Sequence, residues 1–312
     1  MNDMRKYPEF SWSFTRHQTF LECCRRYAYS YYFSSGGWQK DAPGLNRHLY
    51  RLKTLQSIHM KFGSSIHNHI HRMISNLKNA VQLPSTEELM AGVRADLNKA
   101  YQDSKNQTRW FENPSQYDML MEMYYENELP LEVIMEYQTK IPMTVKNLLA
   151  SSTIHELIQR RNQIELIVAE RFRYIELQGG IKVWVVMDSA YKDLERDKYV
   201  IVDFKTGKRS ANDSEQLQLY ARFIAETFNV IDLKQIELRN EYLADGSEKS
   251  YSPTPFDLEK VNYILASNKC NPTSRRTRTM CLLILNNSRR TYEPANIVVI
   301  ERYVERFNRG KL

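Results

Sequence analysis

The amino-acid sequence predicts an α/β fold: a central mixed β-sheet flanked by helices, with a largely helical N-terminal half. Three observations carry that reading. Apolar residues recur at steps of three and four through much of the first 160 positions. From Ile164 onward, branched and aromatic residues gather in short runs. Those runs follow the order strand, strand, strand, helix, strand, and a strand reached through a helix can pair parallel within the same sheet.

The first helix is expected from Phe14 to Phe33, where FTRHQTFLECCRRYAYSYYF holds no Pro or Gly and sets Phe20, Cys24 and Tyr27 at helical spacing. A loop follows around Ser34 to Gly44. Gly63 then precedes SSIHNHIHRMISNL, whose inner stripe is Ile66, Ile70, Met73 and Leu77. Pro84 and Ser85 open another helix, with Glu88 placed as in a capping box. Helical patterns continue to about Arg161, and Pro114, Pro130 and Pro142 are expected to divide them into several packed helices. Residues 80–160 are read as a helical insertion within a single domain spanning 1–312.

IELIVAERFRYIEL and IKVWVVMDSAY, separated by Gln178-Gly179-Gly180, read as two antiparallel strands. A polar turn from Asp193 to Asp197 leads to a third strand, KYVIVDFK, and SEQLQLYARFIAETF returns to helical spacing. LKQIELRNEYLA supplies a fourth strand, so residues 164–245 form the sheet core. A helix is expected from Phe256 to Ser267, within a basic C-terminal segment, 255–312, that carries five arginines between Arg275 and Arg290. The closing run IVVIERYVERFNR fits either a strand or a helix.

Length and composition bound the function. At 312 residues the chain can bury one sizeable core, and 42% hydrophobic with 26% charged residues favours neither a disordered nor a fibrous class. Lys and Arg number 44 against 37 Asp and Glu, and the resulting +7 favours polyanionic partners. No run reaches the roughly 20 apolar residues that cross a bilayer, and MNDMRKYPEF lacks the apolar core of a secretory signal, so a cytoplasmic location is expected. Cys23, Cys24, Cys270 and Cys281 are too scattered for a disulfide framework and are read as reduced thiols.

The chemistry concentrates around the third strand. Asp203 and Lys205 stand two apart and share one face, while Phe204 points the other way into apolar packing. Asp188 closes the VWVVMD run on the neighbouring strand, so strand pairing brings its carboxylate toward that of Asp203. Two carboxylates at one site repel unless a cation joins them, and Mg²⁺ prefers hard oxygen ligands. Gln216 and Tyr220 lie four apart on the next helix, on the face suited to positioning a substrate.

Taken in order, these motifs resemble the RecB-like branch of the PD-(D/E)XK nucleases. That signature is a Gly-x-x-x-His helix, an acidic residue ending a strand, Asp-x-Lys-Thr-Gly, and Gln-x-x-x-Tyr. Here it reads GSSIH from Gly63, VVMD ending at Asp188, VDFKTG from Val202 to Gly207, and QLQLY from Gln216 to Tyr220. SWSFTRHQTFLECCRRYAYSYY is similar to the opening helix of that branch. The resemblance implies a restriction-endonuclease-like core, one or two Mg²⁺ or Mn²⁺ ions, and cleavage of DNA. It further implies that Asp188 and Asp203 are metal ligands, Lys205 is the catalytic lysine and His67 is an additional ligand. Read by itself, His67 also fits a helical histidine bonded to a neighbouring carbonyl.

His71 is read as a surface residue, and Glu170 as a structural partner of Arg171 or as a ligand to a second ion. Some RecB-like members hold an iron-sulfur cluster through one cysteine of the opening helix and three near the C-terminus. Cys24 matches the first, but Cys270 and Cys281 form no close pair, so no cluster is expected. Arg25, Arg26, Arg275 and Arg276 are candidate phosphate contacts, with aromatic residues stacking on unpaired bases. No Walker-type GxxxxGK[ST] is present, so unwinding would require a separate helicase or defence-complex subunit. The competing readings are a catalytically silent DNA-binding subunit and an RNA-directed nuclease.

Overall fold

The computed structural model describes residues 8, 10–78, 83–168, 173–177, 180–210 and 212–267. Glu170, Arg171, the Gln178-Gly179 turn, Cys270, Cys281 and the arginine-rich segment with Arg275 and Arg276 lie outside them.

A two-residue strand, β1 (Ser11–Trp12), leads into α1 (Phe14–Glu22), where the Ser13 hydroxyl accepts the Arg16 amide at 3.2 Å. The single helix expected from Phe14 to Phe33 is divided at Cys23, whose backbone is extended at φ −162°. The Cys23 thiol accepts the Arg26 amide at 3.4 Å and so starts α2 (Cys24–Ala28), which runs on into a π-helical turn, Tyr29–Phe33. Next come α3 (Gly44–Thr54) and α4 (Ile58–Lys78). Gly63 lies inside α4 instead of before it. A Cβ at this position would come within 3.3 Å of the Thr206 hydroxyl, so the glycine lets the helix pass close to the turn after the third predicted strand.

Among the described residues of 80–160 stand five helices: α5 (Thr86–Ser104), α6 (Gln107–Glu112), α7 (Met121–Glu126), α8 (Leu131–Leu149) and α9 (Ser152–Gln159). The Ser85–Glu88 capping box opens α5 as expected. Pro142 sits within α8 and does not end it. An interior proline costs about 3 kcal/mol. Burial of Tyr137, Ile141, Val145 and Leu148 on both sides of it, at about 1.5–3 kcal/mol each, offsets that cost.

The two strands expected between Ile164 and Tyr191 are four: β2 (Ile164–Val168), β3 (Arg173–Leu177), β4 (Ile181–Val185) and β5 (Ser189–Asp193). β2 pairs with β5 and β3 with β4, both antiparallel, in different sheets. The split follows the packing, because Leu166 and Tyr191 serve one core while Ile175, Val183 and Val185 serve another. β6 (Lys198–Lys205), α10 (Asn212–Thr227) and β7 (Ile236–Tyr242) form the predicted crossover, with β6 and β7 parallel. An unforeseen edge strand, β8 (Ser247–Tyr251), precedes α11 (Pro255–Ser267). Its sequence SEKSY has no apolar alternation to announce it.

The result is the expected α/β architecture, with a five-stranded mixed sheet ordered β2-β5-β6-β7-β8 and a three-stranded sheet ordered β1-β4-β3. On one face of the larger sheet, Val200, Val202 and Phe204 pack against the helical half through Phe62, Ile66, Ile70 and their neighbours. On the other, Ala190, Ile201 and Leu238 pack against α10, α11 and the smaller sheet. Among the described residues no helix is long and apolar enough to cross a membrane.

Candidate active site

The alternation of β6 divides its residues between two cores. Phe204 is buried in the helical-side core, so Asp203 and Lys205 project from the opposite face, toward α10. There the Lys205 Nζ lies 2.7 Å from Asp203 Oδ2 and donates to Gln216 Oε1 at 3.0 Å. Gln216 in turn donates from Nε2 to the Tyr220 hydroxyl at 2.6 Å. The predicted pair on α10 therefore faces the predicted pair on β6. Burial, then the nearby Asp203 carboxylate, hold the Tyr220 phenol above its usual pKa.

Asp188 is not the last residue of a strand. It occupies a bend between β4 and β5, and because Ser189 pairs with Val202 the bend lies beside the end of β6. Its Oδ2 accepts the Phe204 amide at 2.8 Å, while Oδ1 stands 2.9 Å from the Nδ1 of His67 on α4. Asp188 thus reaches the end of β6 from a bend and not from the end of a strand.

The two carboxylates titrate in opposite directions. Burial works against the charge on Asp188, but the His67 imidazole and the Phe204 amide overcome it and hold this acid below its usual value. Burial, and then Asp188, push Asp203 up to about 6 despite the adjoining Lys205 ammonium. His67 is raised: burial opposes its charge, and the Asp188 carboxylate outweighs that.

A cleft of about 1230 Å³ opens over these groups, lined by His67, Asp188, Asp203, Lys205, Gln216 and Tyr220 among others. Among the described residues, no three His, Cys, Asp or Glu side chains converge closely enough to form a ready-made metal cage. Two carboxylates and an imidazole nevertheless fit a divalent cation. The Nδ1 of His67 is shielded from solvent and stands 2.9 Å from Asp188 Oδ1, so the imidazole and that carboxylate already face each other. Burial and the nearby Asp188 carboxylate both disfavour the charge on Asp203, and a cation between the two acids would relieve that.

Sequence reasoning missed several participants. His71, expected at the surface, lines the cleft one turn beyond His67, and its Nδ1 is also shielded from solvent. Residues four apart share a helix face, so placing His67 in the site already implied His71. Asn240 donates to Asp203 Oδ2 at 3.3 Å because parallel pairing sets the two residues opposite each other. Asp213, at the start of α10, lies 3.8 Å from Lys205 and accepts from the Tyr242 hydroxyl at 3.2 Å.

Arg25 is exposed, and Arg26 pairs with Glu22 at 3.1 Å. Neither lines the cleft. Arg16 does, with its guanidinium 4.6 Å from the Tyr31 ring centroid and its Nη1 donating to the Ser11 carbonyl at 3.0 Å.

A mixed α/β core thus presents paired acids and a lysine beside a strand end, under a cleft. The chain belongs to the PD-(D/E)XK nuclease superfamily, whose family model matches residues 11–260. No curated protein matches the chain.

Proposed function

We propose that the protein is a metal-dependent deoxyribonuclease of RecB-like type, an exonuclease acting on single-stranded or end-containing DNA in repair, recombination or anti-phage defence. The observation that carries the chemistry is the continuous chain from Tyr220 through Gln216 and Lys205 to Asp203, with Asp188 and His67 adjoining. In this reading Asp188, Asp203 and His67 hold Mg²⁺ or Mn²⁺, within a single domain carrying a helical insertion at 80–160.

A divalent cation bound there would polarise the scissile phosphate and acidify a water. Asp188 and Asp203 supply the hard oxygens. Asp188 is fixed by the Phe204 amide, so its position does not depend on substrate. Lys205 orients the attacking water and offsets the negative charge that develops on the phosphate. Gln216, itself held by Tyr220, keeps that ammonium at the strand end.

The test is incubation of the protein with end-labelled single-stranded and duplex DNA and RNA, in Mg²⁺, Mn²⁺ or EDTA. The expected result is DNA cleavage in either metal and none in EDTA. Binding without cleavage would favour a silent subunit, and preferential RNA hydrolysis would move the substrate class.

A further inference from the structure

The three-stranded sheet has one apolar face turned to the core and an opposite face that carries aromatic residues. Trp12, Ile175, Val183 and Val185 turn inward onto the core beneath α10. Tyr174 and Trp184 are direct cross-strand partners on the opposite face, with ring centroids 5.1 Å apart and planes inclined at 58°. Lys182 shares that face, two positions back on β4 and opposite Glu176 of β3, and holds its Nζ 5.3 Å from the Tyr174 centroid. Tyr174 is 46% exposed, a large aromatic surface left in water.

The patch runs into the cleft. Trp184 lines both, and so does Val186, which is 47% exposed and lies two residues from Asp188. A pair of rings with an adjoining cation, continuous with a site for phosphodiester chemistry, matches a nucleotide in both its parts. Aromatic faces stack on bases, and an ammonium meets the phosphate. In a duplex the base faces are already covered by their stacked neighbours, whereas an unpaired strand offers them.

We infer that Tyr174 and Trp184 form a stacking platform for an unpaired base of a single strand leading into the cleft, with Lys182 beside its phosphate. This rests on the nuclease reading of the cleft and deepens it to a strand-state preference. Because the two rings engage bases and not the backbone, removing bases from the ligand has the same effect as removing the rings from the protein.

The test uses the full chain in EDTA, where metal-dependent cleavage is silent. Binding of a labelled single-stranded oligonucleotide is compared with that of the same oligonucleotide carrying abasic positions. Wild type should bind the abasic strand about tenfold more weakly. The Tyr174→Ala/Trp184→Ala variant should bind both strands alike, at the weaker level, and Tyr174→Phe/Trp184→Phe should regain the difference. Tyr174→Ala alone, at a half-exposed position, should show a partial loss and makes the outcome independent of any folding defect in the double variant. Equal binding of both strands by wild type, or full discrimination by a folded double-alanine variant, would overturn the platform. Cleavage in Mg²⁺ or Mn²⁺, assayed separately, reports on the nuclease reading itself, so the two can fail independently.

Discussion

The Asp188 carboxylate accepts the backbone amide of Phe204 at 2.8 Å, so an acid from the bend before β5 is fastened to the residue beside Asp203. The spacing of the two acids is set by main chain, not by a free rotamer. Asparagine can accept the same amide hydrogen bond without the charge. Asp188→Asn should therefore keep the native circular dichroism spectrum and unfold within a few degrees of wild type, while cleavage falls on the order of 100-fold or more. Near-normal cleavage by this variant would show that the charge of Asp188 is not needed.

Lys205 is held between Asp203 and Gln216, at 2.7 and 3.0 Å. Lys205→Ala and Asp203→Ala should abolish metal-dependent cleavage yet retain most DNA affinity, because affinity rests on dispersed phosphate contacts. Gln216→Ala leaves the ammonium present but less well aimed. It should lower kcat about 10–100-fold, as loss of an orienting partner commonly does, with KM little altered. A Gln216 variant that changes KM alone would assign it to substrate binding.

Asp203 also predicts a pH dependence of stability. Its pKa rises from 3.8 to about 6 on folding, through burial and then Asp188. Across that window the folded chain binds more protons than the unfolded one, so this group lowers the stability of metal-free protein as pH rises through it. Above about 6 the whole penalty remains. Asp203→Asn should consequently raise the thermal midpoint of the metal-free protein more at pH 7.5 than at pH 4.5, as read by scanning fluorimetry in EDTA. A constant difference at the two pH values would refute a buried, raised Asp203.

Much of this site was legible because β6 and α10 each obey a single period. Period two puts Asp203 and Lys205 on one face, and the four-residue step does the same for Gln216 and Tyr220. The parallel β6–β7 crossover followed from strand, helix, strand. What escaped depended on tertiary detail. Local apolar content could not show that β2 and β3 belong to different sheets, since that is decided by which core Leu166 and Ile175 enter. The exposed strand β8 gives no pattern, and the break at Cys23 rests on a thiol capping α2. Asn240 became visible only once the register opposite Asp203 was fixed.

The remaining prediction separates the two histidines of α4. Both line the cleft, one turn apart, and both have an Nδ1 shielded from solvent. Only His67 reaches an acid, at 2.9 Å from Asp188 Oδ1. An imidazole suits Mn²⁺ better than Mg²⁺, so a histidine ligand should tilt preference toward Mn²⁺. His67→Ala should weaken Mn²⁺ binding in isothermal titration and slow cleavage in Mn²⁺ more than in Mg²⁺. His71→Ala should leave Mn²⁺ affinity close to wild type, but because His71 lines the cleft wall it should raise KM for DNA by a fewfold. If His71→Ala weakens Mn²⁺ binding as much as His67→Ala does, the two imidazoles act together on the ion. If His67→Ala binds Mn²⁺ and cleaves as wild type does, its contact with Asp188 serves only to position that carboxylate.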